Sequence, residues 1–158
     1  MNTETQRVLI VAKTRRGGGA CIGAISEDGR SLRLEAANAL SNEHAGLEYE
    51  VGDVWEVTFA PHPRIVPPHV ETVVVHAKRR LRQGVDPLRS IERWMPPMVG
   101  GVQTLYGGRL QSTESGSLYI AQCADLPPCS TLFWRPDRPL RLSADGVRLH
   151  YCYPGDEG

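Results

Sequence analysis

The chain has 158 residues, 41% of them hydrophobic, and its 18 basic and 18 acidic side chains give a formal net charge of zero. This length suits one ordinary domain or two very small ones, with enough apolar side chains for a core. A neutral chain differs from proteins that coat nucleic acid by bulk electrostatic attraction, and no apolar run approaches the roughly 20 residues that cross a bilayer. The first residues also lack the basic start and apolar middle of a signal peptide. We therefore expect a cytoplasmic globular protein with no membrane contact.

The first half of the chain carries five predicted strands. The Asp28-Gly29 pair is a strong signal for a tight hairpin, and residues 31–35 after it alternate polar and apolar side chains, as a half-buried strand does. Gly52-Asp53 predicts a turn or bulge where the fourth strand begins. Residues 36–48 are polar and irregular, with a helical turn as an option at 38–44. The five strands are predicted at residues 8–12, 20–25, 31–35, 49–59 and 70–78.

One short helix follows, and the β pattern then returns. Asp86 suits the cap of this helix and Pro87 its first position, with Leu88, Ile91, Trp94 and Met95 on one apolar face. Further strands are predicted at residues 117–121, 130–134, 140–142 and 147–151. The Ser-x-Asp-Gly pattern of residues 26–29 repeats at 143–146, again flanked by leucine and arginine. This echo suggests two small β units joined through the helix.

Many short strands, glycine and proline turns and a single short helix favour an all-β barrel or sandwich over a parallel α/β sheet. A five-stranded Greek-key barrel of the OB kind is the smallest architecture that matches the first half. We predict two small OB-like Greek-key barrels packed together as one globular body. The first is predicted at residues 1–84, the connecting helix at 85–98 and the second, smaller unit at 99–158.

Six short segments follow one another in a distinctive order along most of the chain. They are Val8–Arg15, Cys21–Ala24, Arg33–Leu34, Tyr49–Trp55, Pro67–Glu71 and Leu149–Tyr151. In this order they resemble the bacterial proteins described as containing a dual OB domain. The resemblance implies two fused OB-like barrels and a nucleic-acid-handling or defence-associated role. It supplies no catalytic residues.

A basic, glycine-rich stretch, Lys13 to Gly19, follows the first strand. A phosphate-binding P-loop needs its lysine after the glycines and a helix behind them, whereas here the lysine comes first and a strand follows. A dinucleotide fingerprint fails because the same helix is missing. Two interpretations stay open. The stretch is either a ligand-contacting loop of an OB barrel, with Lys13, Arg15 and Arg16 for phosphates, or a solvated connector with incidental charge.

Charge is sorted along the chain. Residues 27–56 carry eight acidic side chains against two arginines, whereas residues 78–82 contain four cations. Sixteen of the 18 basic residues are arginine, which suits planar contacts with phosphates and bases but also fits a GC-rich genome. Four cations so close together repel one another unless they are neutralised. Two partners fit this run: a polyanion, or an acidic surface of the same protein made of Glu48, Glu50, Asp53 and Glu56.

Other site chemistry is weakly indicated. Trp134, beside Arg135, is the best aromatic for stacking on a base, because Trp55 and Trp94 lie in apolar patterns that favour burial. The four cysteines form no CxxC pair, so free thiols are expected rather than disulfides or a zinc site. Another interpretation is that His62, His69 and Glu71 act as acid-base groups in RNA cleavage. No nucleophile or paired carboxylate accompanies them in the sequence.

These patterns predict a non-catalytic protein that binds single-stranded DNA or RNA, with no metal and no cofactor. One alternative is a protein–protein adaptor that uses the proline-rich loop Pro61 to Pro68 and the charged faces. A nuclease-like enzyme is the third alternative. Phosphate contacts are predicted for Lys13, Arg15, Arg16, Lys78, Arg79, Arg80 and Arg82, and stacking for Trp134 and Arg135.

Overall fold

The computed structural model describes residues 2–16, 19–37, 46–65, 67–114, 118–121, 126–144 and 149–154. Two compact units make up the chain: Met1–Pro96 with Pro128–Leu132, and Pro97–Pro127 with Phe133–Gly158. The boundaries predicted at residues 84 and 98 stay predictions. Three predicted features lie outside the described residues: the helical turn at 38–44, the glycines 17 and 18, and the second Asp-Gly turn at 145–146.

Five strands of the first unit close into a barrel in the order β1-β2-β3-β5-β4, and β4 pairs with β1 to complete it. Neighbouring strands are antiparallel except β3 and β5, which run parallel. A closed five-stranded Greek-key barrel is the architecture of the OB fold, so the OB-like fold predicted for this part of the chain is confirmed. The strands are β1 (Glu4–Arg16), β2 (Gly19–Ser26), β3 (Ser31–Ala36), β4 (Val54–Pro61) and β5 (Thr72–Arg82).

The barrel interior is filled by alternate side chains of its strands. In β4 every second residue from Trp55 to Phe59 is buried, and β3 buries Leu32 and Leu34 in the same way. This period of two is the physical basis of the strand predictions, because successive side chains of a strand point to opposite faces. The buried core consists of Val8, Ile10, Ile22, Ala24, Leu32, Leu34, Tyr49, Trp55, Val57, Phe59 and Val73.

The predicted helix is present as α1 (Pro87–Trp94), and it packs against β1 and β2. The Asp86 side chain accepts a hydrogen bond from the Leu88 N–H, as its position at the cap predicted. The predicted apolar face is only partly buried, since Ile91 is covered and Leu88 is 67% exposed. The β2–β3 turn needs glycine at position 29, where φ is +82° and a Cβ would lie 2.6 Å from the Trp94 carbonyl oxygen.

The second unit contains short paired strands and the segment Val102–Gly108, in which short 3-10 turns are interrupted by a kink at Leu105, Tyr106 and Gly107. In its described residues the strands form three two-stranded sheets and no closed barrel, so the second predicted barrel stays a prediction. β6 and β9 are parallel, whereas the other two pairs are antiparallel. The strands are β6 (Met98–Gly100), β7 (Gln111–Ser112), β8 (Leu118–Tyr119), β9 (Trp134–Pro136), β10 (Arg141–Ala144) and β11 (Leu149–Cys152).

The strand predicted at residues 130–134 is wrong for all but its last residue, because 130–133 have no regular secondary structure. The cause is the buried Glu71 carboxylate, which accepts hydrogen bonds from the hydroxyls of Ser130 and, at 3.4 Å, Thr131. The Thr131 hydroxyl also lies 2.8 Å from that of Ser31 in β3. Side-chain bonds to the barrel unit thus replace a strand ladder in this segment.

Candidate nucleic-acid interface

The basic run at the end of β5 is divided between the two faces of the strand. The cross-strand partners in β4 identify those faces, because directly paired residues point the same way. Lys78 lies opposite Val57 and Arg80 opposite Trp55, and both partners are buried in the barrel core. Lys78 and Arg80 therefore face inward at the rim of the barrel, and Arg79 between them faces outward.

The outward-facing arginine forms an exposed ion pair. Arg79 Nη2 lies 2.9 Å from Glu56 Oε1, and the arginine side chain is 70% exposed. Arg82, the last residue of β5, is exposed as well. Solvent therefore reaches both Arg79 and Arg82.

The inward-facing cations surround residues 46–53, which we call the rim segment and which lead into β4. Lys13 Nζ lies 2.6 Å from the Glu50 carboxylate and donates to the Leu47 carbonyl oxygen at 3.1 Å. Lys78 forms an ion pair with Glu48. The chain contains only two lysines, and the rim segment contacts both of them.

A β-bulge directs Lys13 toward the rim segment. The pairing of β1 with β2 shifts between Ile10 and Ala12, so that Ala12 lies opposite Gly23 and Lys13 opposite Ile22. Since Ile22 is a core residue, Lys13 faces inward; without the shift it would alternate outward with respect to Ile10. No sequence signal marked this bulge, and it decides which face of the barrel receives the charge.

Aromatic rings lie beneath two of the cations. Lys78 Nζ is 4.6 Å from the centre of the Tyr49 ring, and Arg80 Cζ is 4.8 Å from the Trp55 ring. The two rings pack edge to face with their centres 4.8 Å apart. Each contact is within the range of a favourable cation–π interaction. Burial and the nearby Glu48 charge raise the pKa of Tyr49, so its hydroxyl stays neutral.

Asp53 is the buried member of this charge cluster. Its carboxylate is almost fully buried, and Arg80 Nε lies 3.3 Å from its Oδ2 atom. Among the described residues Oδ2 accepts no hydrogen bond, so the guanidinium supplies the charge that compensates for burial. Gly52 before it has a φ of +92°, and a Cβ there would lie 2.7 Å from the Val85 carbonyl oxygen. Glycine thus lets the rim segment turn tightly into β4.

The sequence left two partners open for the basic run, and one of them is confirmed within the protein. Glu48, Asp53 and Glu56 pair with three consecutive cations of β5, and Glu50 pairs with Lys13 of β1. The acidic stretch thus pairs with three of the four cations of the basic run, as the charge sorting suggested. The phosphate contacts predicted for these cations are untested by this pairing and stay predictions.

The other predicted contact residues are distributed over both units. Arg15 and Arg16 belong to the β1–β2 hairpin, and their side chains lie outside the described part of the structure. Trp134 is half-buried in the second unit, where its Nε1–H donates to the Gly100 carbonyl oxygen at 2.9 Å. Its ring packs on Tyr153, with the centres 5.7 Å apart. Arg135 is exposed on β9.

Two tyrosines of the second unit are more exposed than Trp134. Tyr151 is 73% exposed on β11 and Tyr119 is 45% exposed on β8. Tyr151 was missed in the sequence because it follows an alternating pattern that also fits a core position. The alternation of residues 149–152 could have identified its face only if the partner strand were known.

The described residues contain neither a metal-binding cluster nor a membrane-spanning helix. Within these ranges no cluster of three or more histidine, cysteine or acidic side chains is arranged to hold a metal ion. No helix in the described ranges is both long and apolar enough to span a bilayer. Cys21, Cys129 and Cys152 are free thiols.

The barrel order agrees with an independent comparison. The family model described as "Dual OB-containing domain" matches residues 6–157. The chain belongs to this dual OB family. No curated protein and no solved structure matches the chain. OB-fold domains commonly bind nucleic acids, and the first unit of this dual OB protein has the closed barrel that such binding uses.

Proposed function

We propose that this dual OB protein binds single-stranded nucleic acid without catalysing a reaction. The observation that carries the proposal is the closed barrel with OB strand order, whose β2–β3 face and connecting loops are the surfaces on which OB folds bind oligonucleotides. The family match supports the same class of ligand. The family resemblance also supports a second OB-like part in the second unit and an accessory role in a bacterial defence or nucleic-acid-processing system.

The charge pairing sharpens what kind of binding we propose. Cations that carboxylates already neutralise contribute little to bulk attraction, so we expect few phosphate contacts and a shallow dependence on salt. We assign Arg79 and Arg82 of β5 to phosphates, because the exposed Arg79–Glu56 pair is weak and a phosphate can replace its carboxylate, whereas Arg80 is paired with the buried Asp53. Arg15 and Arg16 on the β1–β2 hairpin stay in the proposed contact set.

Base stacking is the second part of the proposed interaction. A base that stacks on an aromatic side chain contributes about 1–3 kcal/mol, and any base sequence can use this contact. Tyr151 and Tyr119 present exposed rings, and we add them to Trp134 and Arg135 as candidates. This combination supports binding with weak sequence preference.

The proposal is tested by fluorescence anisotropy of a labelled single-stranded oligonucleotide over a range of salt concentrations. The double variant Arg79→Ala with Arg82→Ala should weaken binding about fivefold at low salt and reduce the slope of log affinity against log salt by about 1.4, which is two contacts of about 0.7 each. The matched control is Arg89→Ala with Arg93→Ala, two arginines of α1. Absence of binding by the natural protein at low salt would contradict the proposal, as would equal effects of the two double variants.

A protein–protein adaptor is the second candidate, and one observation favours it. The loop between β4 and β5 exposes Ile65 and Val70, at 46% and 40%, next to several prolines. Exposed apolar side chains on a proline-rich loop suit docking to another protein. Co-purification of one protein at constant stoichiometry after extensive nuclease treatment, lost in the variant Ile65→Ser with Val70→Ser, would favour the adaptor.

A further inference from the structure

The two lysines of the rim are covered from the solvent side by their own carboxylate partners. The Lys13 side chain is 23% exposed and that of Glu50 is 65% exposed; for Lys78 and Glu48 the values are 22% and 47%. In each pair the acid is the outer member. A ligand that approaches either ammonium group therefore meets a carboxylate first.

The Lys13–Glu50 and Lys78–Glu48 ion pairs are weak enough for another anion to replace the carboxylate. Pairs that remain this exposed are worth about 0–1 kcal/mol, because solvent screens them and both side chains lose conformational entropy. Asp53 differs, since its carboxylate is only 4% exposed and separation from Arg80 would leave a buried charge without compensation. Among the carboxylates paired with inward-facing cations, exchange is thus confined to Glu48 and Glu50.

The backbone of the rim segment does not need to move for this exchange. The Gly52 N–H donates to the Ile10 carbonyl oxygen at 2.9 Å, and the Ile10 N–H donates to the Asp53 carbonyl oxygen at 2.9 Å. The Val85 N–H also donates to the Gly52 carbonyl oxygen, at 2.8 Å, and Tyr49 is buried in the core. With the chain held at residues 49–53, rotation of the two glutamate side chains removes both carboxylates from the lysines, while Lys13 keeps its bond to the Leu47 carbonyl oxygen.

We propose that Glu48 and Glu50 are built-in competitors that occupy Lys78 and Lys13 in place of backbone phosphates. Single-stranded nucleic acid then binds the rim by displacing both carboxylates, which repel the incoming phosphates as long as they remain. This contact is autoinhibitory, because it lowers affinity for any short or weakly charged anion. It regulates the proposed nucleic-acid binding and so rests on that function.

The experiment removes both competitors in the full chain. Glu48→Gln with Glu50→Gln keeps the shape of each side chain and removes the negative charge that is paired with each ammonium group. The matched control is Glu4→Gln with Glu27→Gln, which removes two half-exposed carboxylates that pair with Arg30 and Arg7 elsewhere on the barrel. The two double variants have the same net charge, so any difference between them is specific to the rim.

Two readouts separate this proposal from the proposed function. We call Glu48→Gln with Glu50→Gln the rim variant. In fluorescence anisotropy with a single-stranded oligonucleotide, it should bind about tenfold more tightly than the natural protein. The slope of its log affinity against log salt concentration should be steeper by about 1.4. On immobilised heparin, a polyanion that is not a nucleic acid, it should elute at a higher salt concentration than the control variant. Adding Lys13→Gln and Lys78→Gln to the rim variant should reverse both gains.

Each result gives a decision. Suppose that the rim variant elutes from heparin later than the control variant, but that neither the natural protein nor the rim variant binds the oligonucleotide. This result supports the competition and overturns the nucleic-acid function. Binding by the natural protein that the rim variant does not improve beyond the control overturns the competition and leaves the function standing. Equal heparin elution of the two variants likewise overturns the competition. Unfolding of all variants in urea verifies that each is folded.

Discussion

Arg79 and Arg80 are neighbours on β5, yet their carboxylate partners lie in opposite environments. Glu56, the partner of Arg79, keeps 37% of its side chain exposed, whereas Asp53, the partner of Arg80, keeps 4%. The difference follows from strand alternation, which places one arginine outside the barrel and the next over the Trp55 ring. A uniform basic run in a strand therefore contains two kinds of cation: one that holds the barrel end together and one that is available to a ligand.

The largest effect that tests this comparison is on stability. Arg80→Ala leaves the Asp53 carboxylate buried without a compensating charge, and we expect a loss of about 3 kcal/mol in the free energy of unfolding. Arg79→Ala removes an exposed pair and should cost less than about 1 kcal/mol. Urea unfolding of both variants measures the two values. Equal costs would show that the two faces of β5 are not energetically different.

A second buried carboxylate extends the comparison to another part of the barrel unit. Glu71→Ala removes the buried acceptor of the Ser130 and Thr131 hydroxyls, and we expect the loss of these hydrogen bonds to cost about 2 kcal/mol. Glu56→Ala, at an exposed carboxylate, is the control and should cost less than about 1 kcal/mol.

The neighbouring Cys129 reports on the same change. Burial and the Glu71 charge raise the pKa of its thiol, so little thiolate is present at pH 8 and alkylation is slow. In Glu71→Ala both causes weaken, and alkylation of Cys129 measured by mass spectrometry should become faster. An unchanged rate would mean that Glu71 does not hold the segment 128–132 in place.

The smallest effect concerns a half-exposed charge group formed by Glu4, Asp28 and Arg30. The Ser26 hydroxyl, which donates to Asp28, and the nearby Arg30 lower the pKa of the Asp28 carboxyl. A carboxyl with a lowered pKa stabilises the folded state above its unfolded pKa, and this contribution is lost as the pH falls through the folded value, below about pH 4.

Ser26→Ala removes the largest cause of that shift. The pKa of Asp28, followed by NMR titration of its carboxyl carbon, should rise toward the ordinary value, and the remaining shift should be due to Arg30. Unfolding experiments between pH 3 and 7 should show only a small change, since these side chains are half-exposed and solvent screens their charges. A pKa that does not move would assign the shift to the arginine alone.

Much of the barrel was predictable because its signals are local. Alternation of apolar residues located strands such as residues 31–35, and Asp28-Gly29 located a hairpin whose glycine has positive φ. The helix at Pro87–Trp94 was predictable from its cap and first residue. The strand at 130–134 was not, because hydrogen bonds from Ser130 and Thr131 to a carboxylate about 60 residues away decide that segment, and no local pattern reports them.

The candidate site was predictable in its residue types but not in its arrangement. Opposite charges of residues 48–56 and 78–82 are visible in the sequence, and their attraction made pairing an explicit alternative. Which carboxylate meets which cation was not visible. The bulge near Val11 turns Lys13 inward, and a shift of one residue in a strand moves a side chain to the other face.

The sequence by itself determined the all-β class, the family and the separation of acidic and basic stretches, because composition, period and turn residues act over a few neighbouring positions. Only the tertiary structure decided that the inward-facing cations cap one end of the barrel over aromatic rings while Arg79 faces solvent. That outcome depends on strand register and barrel closure, which join residues distant in the chain. The physical reason is that closure of the barrel decides whether a charged side chain of a strand faces the barrel interior or the solvent.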